Sequence, residues 1–363
     1  MREIGEHQLE DIALGAGVLG TGGGGDPYIG KLLAQQSVRR YGPVTVVDLD
    51  EVPDDALVIS SAMMGAPTVM VEKLPRGDEV VRAFERLQHH LGREATHTMS
   101  IEIGGLNSVV PFCLATRLGL PVVDADLMGR AFPELQMCIP TIYGIDCAPM
   151  AIADDKGNSS VIEAADNRWA ERLARSHTID MGCAALIALY PMAGARLREC
   201  TIAGSLTAAE ELGRLIRETR EGHGDPIAAI LERCRGHRLF GGKVTDVDRR
   251  TERGFARAHV RIDGLDDDAG RALDLETQNE HLVASVDGQV LASVPDLIVV
   301  LDSETGQAIT TEELRYGFRV TVAAMPCDAR WRTDRGLEIV GPRPFGYDFD
   351  YVPIEQLAEA LAG

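Results

Sequence analysis

The sequence predicts an α/β domain of three layers on a mostly parallel sheet, followed by a β-barrel-like domain. Over the first 165 or so residues, short β-branched runs alternate with amphipathic helical stripes, the spacing of parallel βαβ units. After Gly236 the texture changes: polar and apolar residues alternate in short runs divided by turn-rich segments, as in a closed or half-closed barrel or sandwich. At 363 residues the chain has room for two cores.

Ile12, Ala13, Ala16, Val18 and Leu19 read as helical, and Asp26-Pro27 opens a second helix with an N-cap acceptor and a pre-set φ. The runs 43–49 and 56–63 are strands divided by the turn at 50–55. Asp78 starts a helix whose stripe is Val80, Val81, Phe84, Leu87 and Leu91, closed by Gly92. A strand at 97–103 ends at Gly104-Gly105, and Asn107 or Ser108 caps a helix that Gly119 stops. A strand at 121–126 leads into a helix begun by "DLMGRAF". A hairpin with its turn at 154–158 comes next, then a helix with Trp169 and Leu173 on its buried face. Helices at 207–220 and 225–235 lead to alternating runs at 238–262, 273–301 and 319–325, and the tail from Ile354 is a short amphipathic helix. The expected division is an α/β layered domain at 1–165, a helical connection at 166–235, a barrel-like domain at 236–330 and a tail at 331–363 packing back on the body.

A formal net charge of −20 repels nucleic acid and anionic membrane, so neither is an expected partner; a small molecule and a second copy of the chain are. Seven cysteines without a C-x-x-C pair read as buried thiols of a reducing cytoplasm. The polar N-terminus shows no signal peptide, and the apolar run 181–195 is too short and interrupted to span a bilayer, so a cytoplasmic protein is expected.

The most informative stretch is "GTGGGGDPY" (Gly20–Tyr28). Four glycines before a helix start, Gly22, Gly23, Gly24 and Gly25 with Asp26 as the cap, leave backbone amides open to an anion or to the polar edge of a small molecule. A mobile turn without a ligand is the competing reading. The loop is not a dinucleotide fingerprint, so no nicotinamide or flavin is expected, and it carries no P-loop lysine. Strand ends place further polar groups beside it: Glu102, Gly104, Gly105 and Asn107 after one strand, Asp124 and Asp126 after another. Glu102 can also be a structural, salt-bridged carboxylate, and Asp126 a helix cap. Asn279, Glu280 and His281 break the strand alternation and suggest a bulge or a directed site. A divalent metal on Asp124, Asp126 and one histidine is conceivable, although no histidine pair has ligand spacing. Cys327 reads as a buried thiol. Arg330, Arg332 and Arg335 either hold a substrate carboxylate or lie at the surface.

These segments together resemble the S-methyl-thiohydantoin desulfurase family, in "GTGGGGDPY", "EIGGLNS" (Glu102–Ser108) and "PVVDADLMGRAFPELQM" (Pro121–Met137), then "DNRWAERLAR" (Asp166–Arg175), "QNEHL" (Gln278–Leu282) and the run from Pro295 to Val322. The resemblance spans nearly the whole chain. It implies an α/β domain followed by a barrel-like one, and hydrolysis of a five-membered cyclic amide or its sulfur analogue. Residue chemistry assigns Asp124 or Glu102 as base, the amides of Gly22 to Gly25 as oxyanion donors, Asn107 as the group orienting the ring and His281 as acid. A non-catalytic small-molecule sensor and a nucleotide-dependent cyclic-amide hydrolase are the alternatives, the missing loop lysine counting against the latter.

Overall fold

The structure is a computed structural model that describes residues 1–65, 69, 76–252 and 254–362, with side chains to 360. Arg253, inside the expected strand run 238–262, and Gly363 lie outside the described residues.

The first sheet takes its strands from most of the N-terminal half: β1 (Arg2–Ile4), β2 (Val44–Val47), β3 (Leu57–Gly65), β4 (His97–Ser100), β5 (Val122–Val123), β6 (Ala125–Asp126), β7 (Met150–Ala153), β8 (Ser159–Ile162), β9 (Ala184–Ala193) and β10 (Ile202–Ala203). Eight of these form one sheet in the order β1-β2-β5-β4-β3-β9-β7-β8, while β6 and β10 make a small ribbon. The expectation of a mostly parallel sheet is corrected. Only β2–β5, β5–β4 and β4–β3 pair in parallel; the other four pairings are antiparallel. The main cause is β9. Its apolar residues, buried on both faces, insert antiparallel between β3 and β7, and an apolar run by itself carries no sign of strand direction.

Three further expectations change. "DLMGRAF" forms no helix: Asp126 Oδ2 accepts from Met128 N and Gly129 N, and Gly129 turns the chain at φ 71°. Asn107 and Ser108 do not cap the helix Val110–Leu118; they lie in a 3-10 turn at Gly105–Ser108, and their side chains bond elsewhere. On the helix Asn167–Asp180, Trp169 and Leu173 face outward, the indole under Arg172, while Ala170, Ala174 and the ion pair Glu171–Arg175 face inward. Hydrophobicity alone named the wrong stripe, because this helix turns charged groups toward the protein's polar interior. Other readings hold: Asp26 caps Pro27–Tyr41, Gly92 and Gly119 stop their helices in left-handed geometry, and Asp154 binds the hairpin turn.

The second sheet comprises β11 (His237–Glu252), β12 (Phe255–Gly264), β13 (Ala272–Gln278), β14 (Glu280–Val286), β15 (Gln289–Ser293), β16 (Leu297–Asp302) and β17 (Arg319–Met325), ordered β15-β14-β13-β12-β11-β17-β16 and wholly antiparallel. It is a curled half-barrel rather than a closed one, since β15 and β16 at its two ends do not pair. Its inner face is apolar, with Phe240, Val260, Leu275 and Val322 fully buried. The seven cysteines are free thiols, four of them buried. Among the described residues no helix is long and apolar enough to cross a membrane.

Candidate active site

Two glycine-rich turns meet backbone to backbone. Gly24 O accepts from Asn107 N at 3.1 Å and Gly25 O from Leu106 N at 3.2 Å. This approach needs glycine: a Cβ on Gly24 would run into Gly104, and one on Gly105 into the Gly25 carbonyl. The second sheet closes the other side, His281 N donating to Thr21 O at 2.8 Å and Thr311 N to Gly22 O at 2.9 Å. The carbonyls of Thr21, Gly22, Gly24 and Gly25 are therefore spoken for. Of the predicted amide donors, Gly23 N is bonded to Gly20 O at 2.8 Å, while among the described residues the N–H groups of Gly22, Gly24 and Gly25 reach no acceptor.

Beside this loop lies a cavity of about 570 Å³, partly open to solvent. It touches Gly24, Gly25, Glu102, Asn107, Asn279 and Glu280, six residues singled out from the sequence. Glu102, just past β4, is held by Asn107 Nδ2 at 2.6 Å and by Phe132 N at 3.3 Å. Asn107 spends its amide on protein groups, accepting from Met63 N at 2.7 Å and donating to Met63 O at 3.2 Å, so it positions Glu102. Asn279 takes the left-handed turn between β13 and β14 at φ 58° and exchanges bonds with Ala256. That turn aims Glu280 into the cavity, and the bulge expected there appears as a register shift between Glu276 and Thr277. Glu280 Oε2 is buried and has no partner among the described residues.

The two carboxyls share one field. Burial raises Glu102 from the usual 4.5 to about 8, the charge of Asp126 adding, while Asn107, Phe132 N–H and Arg130 pull it down. Burial also drives Glu280 well above the carboxylate range, and the charge of Glu102 drives it further. Two such groups cannot both ionise near neutrality; the pair keeps at least one proton. Arg130 is one nearby cation. Its guanidinium is fully buried and among the described residues bonds only neutral oxygens, Thr21 Oγ1 at 2.9 Å and the carbonyls of Ala131, Pro295, Asp296 and His281. It lies over the Phe132 ring at 4.5 Å and tempers both carboxyls.

The other residues predicted for the site sit elsewhere. Asp124 Oδ1 accepts from Leu206 N at 2.9 Å and Thr207 N at 3.2 Å, and Oδ2 accepts from Thr207 Oγ1, so the carboxylate caps the helix Ser205–Glu221. It does not line the cavity. Asp126 pins the 126–129 turn and accepts from Ile103 N at 3.1 Å, and burial raises it to about 7. His281 is fully buried under Gly22, where a Cβ would stand 2.5 Å from its Nε2. Burial, then Arg130, lowers it to about 3, against a raising backbone contact with Ile309, so it is neutral. Gly23 packs on the Glu280 side chain and Gly104 on Ala131. Asp26 serves its helix. Arg330, Arg332 and Arg335 pair with Asp328, Asp296 with Glu355, and Glu338. Among the described residues no group of three or more His, Cys, Asp or Glu side chains is disposed to hold a metal ion, so the Asp124–Asp126–His set is not assembled.

Sequence reasoning missed Arg130, Phe132 and Arg175. Arg175 lines the cavity with its guanidinium held by Glu171 at 2.8 Å and stacked on Phe255 at 4.4 Å. The available signal was an arginine inside an otherwise apolar run, as in "DLMGRAF", where burial demands a purpose.

Fold and cavity together define an α/β-plus-β protein with a buried carboxylate pair between its two sheets. A model of the S-Me-THD-like N-terminal domain matches residues 7–164, and one of the S-Me-THD-like C-terminal domain matches residues 165–354. The chain belongs to the S-methyl-thiohydantoin desulfurase-like family, which points to thiohydantoin-related chemistry. A crystal structure of a protein from Chromobacterium violaceum is similar over 98% of this chain and 100% of that one, at 25% identity and a TM-score of 0.80. No curated protein matches the chain significantly.

Proposed function

We propose that the protein is a hydrolase of a small five-membered cyclic amide or its sulfur analogue, an S-methyl-thiohydantoin-like ring, with Glu102 and Glu280 as the acid–base pair. The observation that carries this is the pair itself: two buried carboxyls on one cavity, which cannot both ionise near neutrality, beside unclaimed amides. The ionised member takes a proton from water as its oxygen bonds to the ring carbon bearing the S-methyl group. The C=N π electrons move to the ring nitrogen, and the amides of Gly24 and Gly25 stabilise the developing charge. The C–S bond then breaks, the protonated member gives its proton to the departing thiolate, the hydroxyl proton passes to the ring nitrogen, and methanethiol and the ring carbonyl result. On an unsubstituted cyclic amide the same steps open the C–N bond. This reading takes Glu102 rather than Asp124 as the base and moves the acid from His281 to Glu280.

The test is turnover of a panel of hydantoins, S-methyl-thiohydantoins and lactams, read by mass spectrometry for ring opening and thiol release. Glu102→Gln and Glu280→Gln, both shape-conserving, are each expected to lose about 100-fold or more in kcat with an unchanged fold by circular dichroism. Full turnover by both variants, or no turnover of the whole panel by the wild type, overturns the proposal.

A further inference from the structure

A second cavity, about 670 Å³ and partly open, lies on the opposite face of the first sheet. Neighbouring residues of a strand point to opposite faces, and β9 divides accordingly: Ile187 lines the candidate active site and Leu186 the second cavity. The segment 105–110 is the partition, with Asn107 on one side and Leu106, Val109 and Val110 on the other.

The floor of this cavity is apolar, and its mouth is cationic. Arg40, Arg76 and Arg117 line it, and among the described residues no carboxylate does, in a chain of net charge −20. The guanidinium carbons of Arg40 and Arg117 both lie against the Tyr41 ring, 5.2 and 5.4 Å from its centre. Arg117 is fixed by Ser37 Oγ and Cys113 O, both at 2.8 Å, and by Arg76 O at 3.1 Å. Its Nε is buried without a hydrogen-bond acceptor, and the carboxylate paired with it, Asp78, stands 3.8 Å away and 76% exposed. Arg40 has no ion-pair partner among the described residues. Two like charges against one ring repel, and an anion bound beside them relieves that repulsion. A guanidinium fork matches a carboxylate through two parallel hydrogen bonds, and the apolar floor accepts an uncharged body.

We propose that this cavity is a binding site for a small amphipathic monocarboxylate, with its carboxylate between Arg117 and Arg40 and its body on Leu106 and Val110. The site is separate from the catalytic cavity and does not depend on the reaction assigned there. Its ligand would press on the turn that carries Asn107, the residue holding Glu102.

Calorimetric titration of the full chain with phenylacetate tests this. Saturable one-to-one binding is expected, weakened about tenfold or more by Arg40→Gln and by Arg117→Gln, and unchanged in Glu102→Gln. Phenethylamine, which has the same ring with the opposite charge, and inorganic phosphate, which has no apolar body, should bind at least tenfold more weakly. Arg117 also holds local backbone, so if Arg117→Gln fails to fold, Arg40→Gln decides, since the Arg40 side chain is exposed. Absence of saturable binding, equal affinity for either control ligand, indifference to Arg40→Gln, or loss of binding in Glu102→Gln each overturns the site.

Discussion

Glu102 and Asp124 are both buried acids just beyond neighbouring strands of one sheet, yet their surroundings give them opposite tasks. Asp124 is surrounded by donors from a helix start, the partners of a structural carboxylate. Asp124→Ala is therefore expected to lower unfolding free energy by about 1–2 kcal/mol, the usual cost of a lost helix cap, as read from a urea midpoint. The folded fraction should keep its turnover. Glu102 has fewer donors to offset its burial, which holds its proton to about pH 8 against the usual 4.5. Between those values the unfolded chain has released the proton and the folded chain retains it, so the contribution of Glu102 to stability falls as pH rises. Glu102→Gln removes that slope. Its melting temperature should drop less than the wild type's between about pH 5 and about pH 8, and an identical drop would mean that Glu102 is ionised throughout. Turnover should rise as pH passes about 8, where Glu102 ionises and can act as base while burial still holds the proton on Glu280 as acid.

The glycine loop shows how an element can be legible while its reason is not. The four glycines, the helix before them and the Asp26-Pro27 start are all visible in the sequence and appear as expected. Part of the need for glycine is contact with residues far along the chain: Gly22 with the His281 ring, Gly23 with Glu280, and Gly24 with Gly104. Gly105→Ala tests this at a distance from the loop. Position 105 has φ 47° and a Cβ there meets the Gly25 carbonyl, so a loss of about 2 kcal/mol or more is expected from strain and displacement together. Turnover should fall with it, because Asn107 and Glu102 hang on the same turn; a variant of unaltered stability would show that the two turns do not bear on each other. The helix Asn167–Asp180 teaches the converse. Its periodicity is real, but which stripe faces inward was decided by the polar interior that receives Glu171 and Arg175.

At the scale of the molecule, the site exists because the second sheet brings Glu280 against a loop of the first region. Asp296 ties this assembly to the tail. It is buried and accepts from Cys327 N at 3.0 Å, Arg332 at 2.7 Å, the Tyr351 hydroxyl at 2.8 Å and Ile354 N at 2.8 Å. Its carbonyl also receives Arg130. Asp296→Ala leaves these donors unpaired and should cost about 3 kcal/mol or more, with the tail from Arg343 onward cut faster by protease in limited digestion. A tail as resistant as the wild type's would show that other contacts hold it. Local pattern was enough to determine the identity of most strands and helices, the change of texture near Gly236, the amide-rich loop and the acids beside it, because each depends on periodicity and turn chemistry within a few residues. Tertiary structure alone decided that β9 runs antiparallel, that the second sheet stays open, that Asp124 caps a helix and that Glu280 rather than His281 enters the cavity. Direction, closure and pKa depend on which groups arrive from distant segments and how much water they exclude, and no stretch of sequence carries that information by itself.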